Sequence, residues 1–170
     1  MSETKQLPDR ADLPEALTWD LTKIYADDGA FEEAFQEIVA ELKQADDFKG
    51  TLSQGPAAFK EALEYVLAIS RKLEKLYVYS HLKNDQDTAN TTYQGLYAKA
   101  SNLVAQVSEA IAWFDPELLS MDDATIWGYF DQEPELAIYR HLIEKTVNNR
   151  PHVLPAEQEA LLAGAGEIFG

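Results

Sequence analysis

Apolar side chains recur every three or four residues along most of this chain, and this spacing constrains the fold more than any other feature. No segment alternates apolar and polar residues with a period of two, and β-branched residues are not clustered. We therefore predict an all-α fold. The apolar positions of the three main stripes are Phe31, Phe35, Ile38, Leu42 and Ala45; Phe59, Leu63, Val66, Leu67, Leu73, Leu76 and Tyr77; and Tyr93, Leu96, Tyr97, Ala100, Leu103, Val104, Val107, Ile111 and Phe114.

The second and third stripes each cover about 25 residues, which corresponds to a helix of roughly 40 Å at 1.5 Å per residue. Only a few polar residues separate them. Because a short connection makes two long amphipathic helices antiparallel neighbours, we predict a helical bundle built on this pair, with shorter helices after it.

Prolines and capping residues predict where the helices begin and end. Proline suits the first turn of a helix, and the residue before a proline avoids the helical region. Asp115-Pro116 is therefore expected to end the third stripe, and Ser120 with Asp123 resembles a capping box for a short helix that bears Ile126, Trp127 and Phe130. Helix starts are predicted at Pro56, Pro134 and Pro155, the last of them for a helix that bears Leu161 and Leu162.

Three segments follow from these boundaries. Residues 1–28 are predicted to form an N-terminal extended arm with one helical turn, residues 29–115 a long-helix bundle, and residues 116–170 a segment of short helices. Apolar side chains still appear at Ile168-Phe169-Gly170. We therefore expect the chain to be cut from within a larger polypeptide.

The composition excludes several classes of protein. With 46% hydrophobic residues the chain can form a core, and without cysteine it has no disulfide framework, thiolate zinc site or cysteine nucleophile. A net charge of −16 without a basic stripe argues against nucleic-acid binding. The polar start is unlike a signal peptide, and no apolar run is long enough to span a membrane, so we expect a cytoplasmic protein.

The segment 79–96, YSHLKNDQDTANTTYQGL, raises the question of a metal loop. A calcium loop that starts at Asp85 would place Asp87 at position 3, but it lacks the glycine at position 6 and the glutamate at position 12. We interpret the segment as a turn between helices, in which Asp87 or Thr88 caps the second helix.

The histidines do not form a recognisable metal motif. A His-Glu-x-x-His helix places two imidazoles on one face and a glutamate beside the bound water, but His81, His141 and His152 are each followed by an apolar residue. His141 and Glu144 share a helix face, yet two ligands do not complete a zinc site. The glycines of GAGEIFG are too widely spaced for a dinucleotide loop. We assign no catalytic, cofactor-binding or metal-binding residue to this chain.

The N-terminal segment contains a local structural signal. Asp20 is placed to cap a single helical turn, and Trp19 and Ile24 are spaced to form a hydrophobic staple around it. Trp19, Tyr77, Tyr79 and Trp113 are alternative candidates to line a groove, although aromatic residues at helical spacing are more often part of a core.

Several short motifs, taken in order, resemble one peptidase family. They are Leu7-Pro8-Asp9-Arg10, Leu17-Thr18-Trp19-Asp20-Leu21 with Ile24-Tyr25, Asp87-Thr88, Phe114-Asp115-Pro116-Glu117-Leu118-Leu119-Ser120, Tyr139-Arg140-His141, and Arg150-Pro151-His152-Val153-Leu154 with Glu157 and Glu159-Ala160-Leu161-Leu162. The segment from Leu7 to the end of the chain is similar to the N-terminal helical region of oligoendopeptidase F, a zinc peptidase related to thimet oligopeptidase. The chain departs from the family pattern at Pro155, where the family usually has a serine cap.

This resemblance implies a cytoplasmic zinc metalloendopeptidase that hydrolyses short peptides inside a deep channel. It implies that this chain helps to wall the channel, and that zinc and the His-Glu-x-x-His helix belong to a C-terminal catalytic domain beyond the matched region. We expect the chain alone to be inactive. If the catalytic domain normally covers part of the bundle, the chain alone exposes an apolar patch, and we expect it to self-associate. Two other hypotheses remain open. One is a stand-alone acidic helical module that binds peptides or a partner protein, and the other is a purely structural bundle.

Overall fold

The computed structural model of this chain describes residues 12–153, and every regular element in that range is a helix. This confirms the predicted all-α class. The α-helices are α1 (Asp28–Glu41), α2 (Ala45–Phe48), α3 (Pro56–Gln86), α4 (Thr91–Ile111), α5 (Phe114–Ser120), α6 (Asp123–Gln132) and α7 (Arg140–Asn148). Short 3₁₀ helices occupy Glu15–Leu17, Leu21–Lys23, Leu42–Gln44, Leu52–Gln54, Pro134–Tyr139 and Arg150–His152. None of the helices within residues 12–153 is long and apolar enough to cross a membrane.

The two long stripes form the two longest helices of the described range. Helix α3 begins at Pro56, as predicted, and runs for 31 residues, whereas α4 has 21. The two helices are joined by a side-chain hydrogen bond between the hydroxyl groups of Tyr77 in α3 and Tyr97 in α4, whose oxygens lie 3.1 Å apart. The antiparallel relation of α3 and α4 stays a prediction.

The chain divides into two compact units. Among the described residues, the first unit comprises residues 12–48 together with Leu63–Ala112, and the second comprises Lys49–Ala62 together with residues 113–153. The three-segment division predicted from the sequence, with boundaries after residues 28 and 115, stays a prediction.

Each unit has a core of its own. In the first unit, α1, α3 and α4 bury their apolar stripes against one another, with Leu21 contributed by the turn before α1. The core residues of the first unit are Leu21, Phe31, Ile38, Ile69, Leu73, Leu76, Tyr79, Ala100, Leu103 and Val107. Buried side chains of the second unit include Leu52, Phe59, Phe114, Leu118, Ile126, Leu136 and Ile143.

One predicted helix end is wrong. Asp115-Pro116 was expected to end the third stripe, but α4 already ends at Ile111, and Pro116 lies in the first turn of α5. The first backbone N–H groups of a helix have no partner within it, so proline fits a first turn as well as it ends a preceding helix.

The predicted cap of α6 is also wrong. The Asp122 carboxylate accepts a hydrogen bond from the Thr125 backbone N–H at 2.9 Å, whereas the Ser120 hydroxyl donates to the Glu117 carbonyl at 2.6 Å. The cap must directly precede the first helical residue, and Asp122 occupies that position.

The N-terminal turn is confirmed in part. Asp20 caps the turn Leu21–Lys23 by accepting a hydrogen bond from the Thr22 backbone N–H at 3.1 Å. The predicted staple does not describe the structure, because Trp19 keeps 70% of its surface exposed while Ile24 packs against the core. The predicted helix at Pro155 lies outside the described residues.

The glycine before α3 has a backbone conformation that other residues rarely adopt. Gly55 has φ = 136°, whereas Gly95 lies inside α4 with open space where a Cβ atom would be. We expect Gly55→Ala to lower the free energy of unfolding by about 1–3 kcal/mol, because the backbone would be strained. The matched variant Gly95→Ala should raise it by about 0.5–1 kcal/mol, since alanine restricts the unfolded chain and favours the helix. Urea unfolding followed by circular dichroism measures both, and equal effects of the two variants would contradict this expectation.

Candidate functional site

The histidines do not combine into a metal centre within residues 12–153. His81 lies in α3, with its Nδ1 atom 3.2 Å from an Asp85 oxygen, whereas His141 lies in α7 and His152 in the last 3₁₀ turn. In the described part of the chain, no three His, Asp or Glu side chains are arranged to hold a metal ion. The described residues therefore do not fit the zinc site that the resemblance implies for the whole enzyme.

Within the segment considered as a metal loop, residues 87–90 form a turn between α3 and α4, which confirms the interpretation made from the sequence. Asp87 accepts a hydrogen bond from the backbone N–H two residues later at 3.1 Å. The predicted capping role of Asp87 or Thr88 is wrong, because Asn90 accepts from the backbone N–H groups of Thr92 and Tyr93 at 3.0 and 3.3 Å. Asn90 directly precedes α4 and can therefore reach those N–H groups.

A polar cleft of 360 Å³ lies in the first unit. It lies between the N-terminal turns and the C-terminal half of α3. Its lining includes Trp19, Asp20, Tyr25, Asp28, Tyr79 and Lys83. The cleft therefore combines aromatic surface with carboxylates, a pairing that suits binding of a partially apolar, cationic group.

The polar groups at the base of this cleft are joined to one another. The Tyr79 hydroxyl donates to an Asp28 oxygen at 2.7 Å, and the Lys83 amine lies 3.2 Å from the same oxygen. Burial raises the pKa of the Tyr79 hydroxyl above its usual value, and the hydrogen bond to Asp28 adds to this effect. Tyr79 therefore remains a protonated hydrogen-bond donor to Asp28 at neutral pH.

A second cleft, of 430 Å³, is mostly apolar. It lies between α3 and α4 and is lined mainly by Leu73, Tyr77, Val104, Val107 and Ile111, with serines on its rim. Two small polar residues of the rim, Ser101 and Ser108, lie two helical turns apart on α4. Its lining also includes the carboxylate of Glu74.

The four aromatic residues considered for a groove fall in different places. Tyr79 is 1% exposed and belongs to the core, and Tyr77 is half-buried in the apolar cleft. Trp19 is 70% exposed and lines the polar cleft. Trp113 is half-buried, and its indole N–H has no hydrogen-bond partner among the described residues.

Three lysines connect the acidic helix α1 to its neighbours in the first unit. Lys72 in α3 binds Glu37 and Glu41, with Nζ to oxygen distances of 2.6 and 2.5 Å. Lys99 in α4 binds Glu32, and Lys83 binds Asp28 as described above. Hydrogen bonding from Lys72 and Lys99 holds the pKa values of Glu37 and Glu32 below their ordinary value of 4.5.

These pairs predict a contribution to acid sensitivity. A carboxyl group whose pKa is lower in the folded state stabilises that state above its unfolded pKa and loses the contribution as pH falls through the folded value. We therefore expect the Glu37→Gln variant to lose less stability than the unmodified chain as the pH falls below 4.5. The control is Glu109→Gln, an exposed residue of α4. Thermal unfolding across this pH range measures the slopes, and identical slopes for the Glu37 and Glu109 variants would contradict the assignment.

Two clamps in the second unit were missed by the sequence reasoning. Glu117 accepts hydrogen bonds from the backbone N–H groups of Gly50 and Leu52 at 2.7 and 2.8 Å. Gly50 has φ = 82°, a conformation that glycine adopts readily and that turns the loop toward this carboxylate. Glu117 belongs to the motif that begins at Phe114, but nothing in its local pattern indicates a partner 67 residues away.

Arg150 forms the other clamp. Its guanidinium donates to the Leu119 and Met121 carbonyl oxygens, both at 3.0 Å, and to an Asp123 carboxylate oxygen at 2.6 Å. Arginine suits this position because its planar group donates in several fixed directions at once. The clamp attaches the end of the described range to the connection between α5 and α6.

Comparison with known proteins gives matches along the whole chain. The family described as Oligopeptidase F matches residues 117–170. Oligopeptidase PepF of Bacillus subtilis is 39% identical over 100% of this chain and 26% of its own length. Group B oligopeptidase PepB of Streptococcus agalactiae is 40% identical over 95% of this chain and 27% of its own length.

A solved structure also matches. The crystal structure of oligoendopeptidase-F from Enterococcus faecium is 57% identical in sequence, with a TM-score of 0.75, over 84% of this chain and 28% of that chain. This chain thus spans about a quarter of the length of the relatives that it matches.

Proposed function

This chain belongs to the oligoendopeptidase F family, whose N-terminal region it matches, and on that premise we propose that it is the N-terminal helical domain of a zinc metalloendopeptidase that hydrolyses short peptides. The observation that carries the proposal is the alignment with two oligopeptidases. It covers 95–100% of this chain and about a quarter of each relative, at 39–40% identity. The fold supports it as well, since the matched crystal structure shares it at a TM-score of 0.75.

In this proposal the chain has a structural role and the chemistry lies elsewhere in the parent protein. The printed sequence contains no His-Glu-x-x-His, and the described residues do not fit a zinc site. Zinc would polarise the peptide carbonyl and its bound water in the parent enzyme. The helices described above would help to wall the substrate channel, as a rigid scaffold that excludes folded proteins. The proposed compartment is the cytoplasm.

The experiment compares the purified 170-residue chain with the complete parent protein on a quenched fluorescent peptide. We expect the parent to hydrolyse the peptide, to lose activity with a chelator and to regain it with zinc. We expect the chain alone to show no hydrolysis and no stoichiometric zinc by atomic absorption. Zinc-dependent cleavage by the chain that persists after a second purification would overturn the assignment of a non-catalytic role, and an inactive zinc-loaded parent would overturn the peptidase proposal.

The polar cleft favours one alternative function, a module that binds peptides without cutting them. Its 360 Å³ volume and its combination of Trp19, Tyr25 and carboxylates suit a short basic peptide. Isothermal titration of the purified chain with such a peptide tests this alternative. Saturable binding with one site per chain would support it, and the absence of heat at high peptide concentration would reject it.

A further inference from the structure

Two large apolar side chains at the N-terminal end of the described range are strongly exposed. Leu17 keeps 74% of its surface exposed and Trp19 keeps 70%. Tryptophan is highly buried on average, and contiguous exposed apolar surface marks sites of interaction. Both residues belong to the motif Leu17-Thr18-Trp19-Asp20-Leu21, to which the proposed function gives no role.

Trp19 is presented by an ordered turn. Its neighbour Asp20 caps the turn Leu21–Lys23 through the Thr22 backbone N–H, and Leu21 is only 8% exposed because it packs in the core of the first unit. The backbone next to Trp19 is therefore held by the hydrogen bond of the Asp20 cap and by the packing of Leu21. A backbone that is ordered before binding loses less conformational entropy when its side chains are covered.

Trp19 lies at the edge of two clefts of the first unit. It lines the 360 Å³ cleft described above and also a neighbouring cleft of 260 Å³, which it shares with Leu17, Leu82 and Asp85. We call these four residues, Leu17, Trp19, Leu82 and Asp85, the Trp19 surface. The Trp19 surface therefore places apolar side chains beside two clefts. In protein interfaces, the residues that contribute most of the binding energy are often tryptophans that pack in such pockets.

The charges around the Trp19 surface are mainly negative. Asp85 lines the smaller cleft, and Asp20 and Asp27 line the larger one. The Lys83 amine lies 3.2 Å from Asp28 and the Lys23 amine lies 3.7 Å from Asp20. Asp85 faces the Nδ1 atom of His81 at 3.2 Å, and among the described residues no lysine or arginine pairs with it. A partner that covers Trp19 is therefore favoured if it brings a lysine or arginine.

We propose that the Trp19 surface is the docking site for the remainder of the parent polypeptide, through an apolar side chain that covers Leu17 and Trp19 and a basic side chain that pairs with Asp85. This inference rests on the proposed function. The relatives are about four times as long as the part that this chain matches, so most of the surface available to cover Trp19 belongs to the same polypeptide. Contacts within one polypeptide form at high effective concentration and need no large interface.

A second copy of this chain is a poorer occupant. Each copy carries a net charge of −16, and a symmetric contact would bring two negative rims together. Like charges that face each other across an interface oppose association. The charge distribution therefore favours a basic partner surface over self-association at Trp19.

Hydroxyl-radical footprinting read by mass spectrometry tests the proposal, because it reports the exposure of Leu17 and Trp19 individually. The oxidation rates are compared between the 170-residue chain and the complete parent protein at equal concentration. We expect both residues to be oxidised several-fold more slowly in the parent. In the parent, Asp85→Lys should restore fast oxidation of Trp19, whereas the matched charge reversal Asp131→Lys, at an exposed position of α6, should not.

Three outcomes would overturn the proposal. They are equal oxidation rates in the two proteins, protection in the chain alone that grows with its concentration and so indicates a second copy, and protection of the parent only after a short peptide is added. Peptide hydrolysis by the same parent sample is measured separately. An active parent with an unprotected Trp19 rejects this inference alone, and an inactive parent with a protected Trp19 rejects the proposed activity alone.

Discussion

Replacing Tyr79 by alanine is expected to lower the free energy of unfolding of the first unit by about 3–5 kcal/mol, the usual effect of truncating a fully buried aromatic side chain. Tyr79 is 1% exposed. Its ring centre lies 5.4 Å from that of Tyr25 in an edge-on arrangement and 5.8 Å from that of Phe31 in a stacked one. The substitution removes both ring contacts and leaves a cavity where α1 meets α3.

The Tyr79 side chain also has a polar part that can be tested separately. Tyr79→Phe keeps the ring and removes only the 2.7 Å hydrogen bond to Asp28, which retains its contact with Lys83 at 3.2 Å. We expect this variant to lose only about 1 kcal/mol. The adjacent residue Val78 is 39% exposed, so Val78→Ala is the control and should change stability by less than about 0.5 kcal/mol.

Urea unfolding followed by tyrosine fluorescence and circular dichroism measures the three variants. If Tyr79→Ala and Val78→Ala had similar effects, Tyr79 would not be the central core residue of the first unit. If Tyr79→Phe cost as much as Tyr79→Ala, the hydrogen bond to Asp28 would dominate over ring packing.

Replacing Glu117 by alanine is expected to lower the free energy of unfolding of the second unit by about 2–4 kcal/mol, because two backbone N–H groups lose a charged acceptor together. These are the N–H groups of Gly50 and Leu52, at 2.7 and 2.8 Å. Leu52 is fully buried, so its N–H group has little access to water as a replacement partner.

Hydrogen exchange gives this prediction a local measurement. In Glu117→Ala the Gly50 and Leu52 amides should exchange much faster, and Glu117→Gln should fall between the two proteins because its side chain has one acceptor oxygen instead of two. The control is Asp131→Ala, an exposed residue of α6. Unchanged exchange at Gly50 and Leu52 in Glu117→Ala would show that the carboxylate does not hold this loop.

The elements that sequence reasoning predicted well depend on local patterns. The start of α3 at Pro56 follows from a preset φ angle, and the Asp20 cap follows from a side chain within reach of its own turn. The errors at Pro116 and Ser120 are also local. A proline suits both the end of one helix and the start of the next, and the sequence alone does not distinguish these two places for Pro116. Ser120 and Asp122 are both residues that cap helices, and the sequence alone does not show which of them precedes the first helical residue.

The candidate sites could be predicted much less well. The Trp19 motif was visible, but its staple interpretation assumed that a tryptophan near a cap packs inward, and the structure leaves it 70% exposed. Glu117 and Arg150 lie in motifs that resemble the peptidase family, yet their partners are distant from them in sequence. Burial and clefts depend on which helix faces meet, and no local spacing encodes that.

The sequence by itself determined the helical class, the approximate helix positions and the resemblance to oligoendopeptidase F, because periodicity, caps and motifs are short-range features that are read along the chain. Only the tertiary structure decided that Tyr79 is a core residue, that Trp19 is exposed beside two clefts and that Glu117 holds the loop at Gly50. These properties are set by contacts between residues far apart in the chain. Such contacts form only when apolar faces on different helices are buried together, so their positions are a result of packing and not of local sequence.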